Sequence, residues 1–88
     1  MAQQLFEVCD NENAAIAAVH GNMCAIVPLT DAERQGCLDG WRLYASTELF
    51  ATVNALRHPG LGEPKAVGGG VSRATYRGDI IGLQKIFS

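Results

Sequence analysis

The last quarter of the chain is Val71-Ser-Arg-Ala-Thr-Tyr-Arg-Gly-Asp-Ile-Ile-Gly-Leu-Gln-Lys-Ile-Phe87. Two runs of strand-forming residues, about 71–77 and 80–87, flank the dipeptide Gly78-Asp79. This dipeptide suits a two-residue turn, because glycine accepts the positive φ that such turns require. The pattern therefore predicts a C-terminal β-hairpin.

The two faces of this hairpin differ in polarity, because successive side chains of a strand point to opposite faces. Ala74, Tyr76, Ile81 and Leu83 share one face, which we expect to be core. The other face is rich in hydrogen-bonding and cationic groups, which suit a protein partner or an anion. With a lysine from the preceding loop, the candidate binding residues are Arg73, Thr75, Arg77, Gln84 and Lys65.

Two helices are predicted before the hairpin. The main one covers about 47–58: Ser46 or Thr47 caps its start, and an apolar stripe follows at helical spacing. The stripe consists of Leu49, Phe50, Val53 and Leu56. A short helix is predicted at about 31–39, because Thr30 and Glu33 form a capping box.

The segment 14–20 has two interpretations. Four alanines between Asn13, a candidate N-cap, and Gly21 are typical of a two-turn helix. Alternatively, residues 16–20 and 23–27 flank Gly21-Asn22 as the strands of a second hairpin. The hairpin is slightly favoured, because two helical turns are marginal in isolation.

Together these patterns predict an α+β fold in a single domain spanning 1–88. Short strands are expected at Leu5–Cys9 and Trp41–Ala45. A small antiparallel sheet, ending in the C-terminal hairpin, packs against the main helix. Residues 59–70 are rich in glycine and proline and are expected to form a flexible loop.

Composition limits the possible functions. Hydrophobic residues make up 48% of the chain and charged residues only 18%, so some apolar surface is expected to lie in an interface. The net charge of −2 argues against general affinity for nucleic acid. Residues 1–50 carry −5 and residues 51–88 carry +3. This polarity suits an anionic partner or head-to-tail self-association, and equally a fold whose halves neutralise each other.

The three cysteines indicate a reducing compartment. They show no CxxC spacing, and the N-terminal sequence lacks the features of a signal peptide, so free thiols and a cytoplasmic location are expected. No apolar run is long enough to span a membrane. The spacing of His20, Cys24, Cys37 and His58 matches no common zinc pattern, so we predict neither a metal site nor a cofactor.

The sequence favours a small, non-catalytic binding or accessory module that acts through protein contact as a homo-oligomer. A first alternative is a binder of a nucleic acid or a phosphate-bearing ligand through the basic face of the hairpin. A second alternative is a small enzyme that uses a Cys/His site. No motif identifies a reaction, so a catalytic role is not expected.

Overall fold

The computed structural model describes residues 6–35, 40–52 and 60–78 of the chain. These residues form an α+β fold, as predicted, in which three helices accompany a five-stranded sheet of order β1-β2-β3-β5-β4. In chain order the elements are β1 Phe6–Val8, α1 Glu12–His20, β2 Cys24–Pro28, α2 Asp31–Arg34, β3 Gly40–Ser46, α3 Thr47–Thr52, β4 Lys65–Gly68 and β5 Val71–Arg77.

The sequence predicts an antiparallel sheet, and this prediction is wrong in one respect: the sheet is mixed. β1 runs parallel to β2, with Phe6 opposite Cys24 and Val8 opposite Ile26, whereas the other three pairings are antiparallel. Two parallel strands need a long crossover connection. α1 supplies that connection, so the first three elements form a β-α-β unit.

The segment 14–20 is helical, so the slight preference for a second hairpin was wrong. Asn11, and not Asn13, caps α1: its side chain accepts a hydrogen bond from the Ala14 amide at 2.9 Å. Asn22 follows the helix with a left-handed φ of 67°. A helix this short depends on tertiary packing, and α1 obtains it by burying Ala15 and Val19 against the sheet.

β5 is the predicted first strand of the C-terminal hairpin, and its alternation is as predicted. Ala74 and Tyr76 are buried, whereas Thr75 and Arg77 are exposed. Its neighbours in the described sheet are β3 and β4. The predicted pairing with 80–87 is not confirmed, because those residues lie outside the described part of the chain.

The prediction of a flexible loop over 59–70 was wrong for its second half. Residues Lys65–Gly68 form β4, which pairs with β5. The three glycines at 68–70 have φ values of 103°, 64° and 77°, a region that residues with a β-carbon rarely adopt. They make the tight turn of a β4–β5 hairpin.

The other predicted elements are present where the structure describes them. The Ser46 hydroxyl accepts from the Leu49 amide at 3.0 Å and so caps α3. α3 is described as far as Thr52, and 53–58 lie outside the described residues, as do 36–39 of the predicted short helix. The strands predicted at Leu5–Cys9 and Trp41–Ala45 correspond to β1 and β3.

Both faces of the sheet carry apolar clusters. On the face that we call the α1 face, Ala15 and Val19 of the helix pack with Ala25, Val27 and Tyr44 of the strands. On the opposite face, Phe50 of α3 is buried in a cluster with further strand residues, among them Ile26, Leu43, Ala74 and Tyr76. The sheet therefore forms the middle layer of the structure, which leaves parts of its α1 face beyond the helix open to solvent.

The cap of α1 provides a test of the helix. Replacing Asn11 with alanine removes the acceptor for the Ala14 amide and should lower the free energy of unfolding by about 1 kcal/mol. The change corresponds to a fall of roughly 4–8 °C in melting temperature for a domain of this size.

Asn13→Ala is the matched control, because Asn13 is exposed within the first turn of α1 and alanine is a good helix former. It should leave thermal melting nearly unchanged. Equal losses from the two substitutions would contradict the assignment of Asn11 as the cap.

Candidate binding surface

Three adjacent strands bring most of the predicted binding residues together. Arg73, Thr75 and Arg77 alternate along β5 and so lie on one face, the α1 face of the sheet. The register places Lys65 of β4 opposite Arg73 and Arg42 of β3 opposite Thr75. We call this group of five residues the basic surface.

The basic surface is compact and open. Neighbouring strands lie about 4.8 Å apart, and same-face residues along a strand lie about 7 Å apart. Four cationic side chains therefore start from backbone positions within about 10 Å of Thr75. Lys65, Thr75 and Arg77 are exposed, while Arg42 and Arg73 are half-buried. A ligand would meet an exposed, positively charged surface.

One of these cations is oriented by α1. The Nη1 atom of Arg73 lies 3.1 Å from Oε1 of Glu12, and the hydroxyl of Tyr44 donates to the same oxygen at 3.0 Å. Both charged side chains are more than a third exposed, so the ion pair adds less than about 1 kcal/mol to stability. Tyr44 is completely buried, and it therefore fixes the position of Glu12.

The sequence located most but not all of this surface. Arg73, Thr75 and Arg77 are on one face, as predicted, and Lys65, which was expected in a loop, joins them from β4; Gln84 lies outside the described residues. Arg42 was missed. Its strand was recognised, but its proximity to Thr75 depends on the pairing of β3 with β5, and local sequence carries no signal for that pairing.

The described cysteines lie in the two apolar clusters. Cys9 and Cys24 are buried free thiols. Burial raises the pKa of Cys24 to about 11. The pKa of Cys9 is also raised, first by burial and then by the negative charges of Glu7 and Asp10. Both groups are therefore neutral thiols near pH 7 and weak nucleophiles.

The proposed Cys/His sites gain no support from the described residues. The Nε2 atom of His20 lies 3.2 Å from the carbonyl oxygen of Gly69, while Cys37 and His58 lie outside the described residues. Within 6–35, 40–52 and 60–78, no three His, Cys, Asp or Glu side chains are grouped so that they could hold a metal ion.

Among the hollows lined by described residues, two lie beside the sheet. One, of about 230 Å³, lies where α1 turns into β2 and α3 begins, and it is lined by Val19, Asn22, Met23, Cys24, Ser46 and Leu49. The other, of about 400 Å³, is lined by residues 61–64 and borders β5, since the Gly62 amide donates to the Thr75 carbonyl. The first is remote from the basic surface; the second lies along its margin.

Comparison with known proteins gives no relative: no protein-family model, no curated protein and no solved structure matches the chain. In the segments that the structure describes, none of the helices has the length and apolar character needed to cross a membrane.

The buried thiol of Cys24 yields a prediction about reactivity. Its raised pKa lowers the thiolate fraction near pH 8 about a hundredfold relative to an ordinary cysteine. Labelling by iodoacetamide, followed by peptide mass spectrometry, should modify Cys24 at least about a hundredfold more slowly in the folded protein than in urea. Equal rates in the two conditions would contradict an inert, buried thiol.

Proposed function

We propose that the protein is a non-catalytic binding module that acts through protein contact, and that its partner presents acidic side chains to the basic surface. The observation that carries this proposal is the convergence of Arg42, Lys65, Arg73 and Arg77 around an exposed threonine. Cationic side chains on a rigid sheet recognise carboxylates by charge-assisted hydrogen bonds, and the arginines can do so bidentately.

The shape of the surface supports a protein partner. Its backbone positions belong to three paired strands, so the charged groups are held in a fixed relation before a partner arrives. The surface is charged and largely exposed, whereas small-molecule sites are concave and mostly apolar. These properties favour a macromolecular surface or an extended segment as the partner.

Charge favours an acidic protein over a nucleic acid. The whole chain has a net charge of −2, and Glu12 already neutralises part of the charge of Arg73. Affinity for a phosphate backbone comes from many cationic contacts and a broad positive field. Four cations beside an acidic remainder suit a few carboxylates better.

Thr75 at the centre of the basic surface offers a sharp test. Thr75→Glu places a negative charge among the cations, whereas Thr75→Gln adds nearly the same volume without charge. A fluorescent peptide of about ten glutamates, measured by anisotropy near 20 mM salt, should bind the wild type and the glutamine variant alike. The glutamate variant should bind at least about tenfold more weakly, because like charges repel.

A single-stranded oligonucleotide of equal charge is the second probe. A different result would be that the protein binds the oligonucleotide and not the peptide, and loses that binding on Thr75→Glu. In that case the partner of the basic surface would be a phosphate-bearing ligand and not an acidic protein segment. Equal peptide affinity of the glutamate and glutamine variants would remove the basic surface as the binding site.

A further inference from the structure

A second charged region lies at the other edge of the sheet. Glu7 of β1 is exposed and lies on the α1 face, because it pairs with Ala25. Asp10 follows β1 and is also exposed. Both carboxylates act on the same neighbour, since each raises the pKa of the Cys9 thiol. We call Glu7 and Asp10 the acidic edge.

Lys65 and Arg77 of the basic surface lie far from the acidic edge. The strand order β1-β2-β3-β5-β4 separates β1 from β5, which carries Arg77, by three strand spacings, and from β4, which carries Lys65, by four; these amount to about 14 and 19 Å. Both separations exceed the Debye length at physiological salt, about 8 Å, so the acidic edge does not neutralise these two cations within the same chain.

We propose that the partner of the basic surface is the acidic edge of a second copy of this chain. The inference rests on the proposed function, because it assigns the occupant of the same surface. Charge complementarity carries it: the exposed carboxylates of Glu7 and Asp10 are opposite in charge to the exposed cations Lys65 and Arg77.

Such contact joins two different regions of the chain, and this has a consequence for assembly. Two copies can close as a twofold dimer, in which each acidic edge meets the basic surface of the other copy. A single contact instead leaves a free edge and a free surface at the two ends, and assembly then continues until it closes as a ring or extends as a filament. Assembly should depend on concentration and weaken with salt.

Two neutralising variants test the contact, each altering one region with nearly isosteric residues. The edge variant carries Glu7→Gln with Asp10→Asn, and the surface variant carries Lys65→Gln with Arg77→Gln. Light scattering and sedimentation velocity are measured over the micromolar range. The wild type should form dimers or larger species, and each variant alone should be monomeric, with self-affinity reduced at least about tenfold.

The mixture of the two variants is the decisive measurement. The edge variant keeps a basic surface and the surface variant keeps an acidic edge, so a one-to-one mixture should form a dimer and stop there. That dimer also demonstrates that both variants fold. A monomeric mixture, self-association of the edge variant alone, or a monomeric wild type throughout the concentration range would overturn the proposal.

The glutamate peptide separates this inference from the proposed function. The edge variant retains the basic surface and should bind the peptide at least as tightly as the wild type, in which the acidic edge of another copy competes for that surface. Peptide binding together with a monomeric wild type would reject the second copy as partner and leave the proposed function in place. Absence of both peptide binding and self-association would reject the two together.

Discussion

The pairing of β3 with β5 is the interaction on which the rest of the structure depends. Seven residues of each strand are in register, from Gly40 opposite Arg77 to Ser46 opposite Val71. This ladder puts Leu43 and Ala74 into one apolar layer and Tyr44 beside Arg73 on the other face. It also brings Arg42 to Thr75. Without this pairing, Leu43 would not lie beside Ala74 in the core, and Arg42 would not lie beside Thr75 in the basic surface.

Which residues of a strand face inward could be predicted from sequence, whereas which strands pair with one another could not. The alternation of apolar and polar residues identified Ala74 and Tyr76 as inward-facing, because an alternation with a period of two residues can be recognised within a strand of seven residues. The pairing of β5 with β3 joins residues about 25–37 positions apart, and it is decided by which apolar layers fit together. For this reason Arg42 was missed although its strand was expected.

Two errors have a common physical origin. The segment 14–20 was given a slight preference as a hairpin, and 65–68 was assigned to a loop, because each is weak when judged alone. A helix of nine residues gains its stability from burying Ala15 and Val19 against the sheet. A four-residue strand gains it from the ladder of β5. In both cases the sheet supplied the stability that the local sequence lacked: α1 packs on it, and β4 pairs within it.

Helix α1 touches the rest of the protein near both of its ends. Its first residue, Glu12, contacts Arg73, and its last residue, His20, contacts the carbonyl of Gly69 in the β4–β5 turn. One inserted or deleted residue would rotate one end relative to the other by about 100° and shift it by about 1.5 Å. Both contacts could not then be kept. The two terminal contacts therefore fix the length of α1. Insertions and deletions in related sequences should be confined to positions outside this helix.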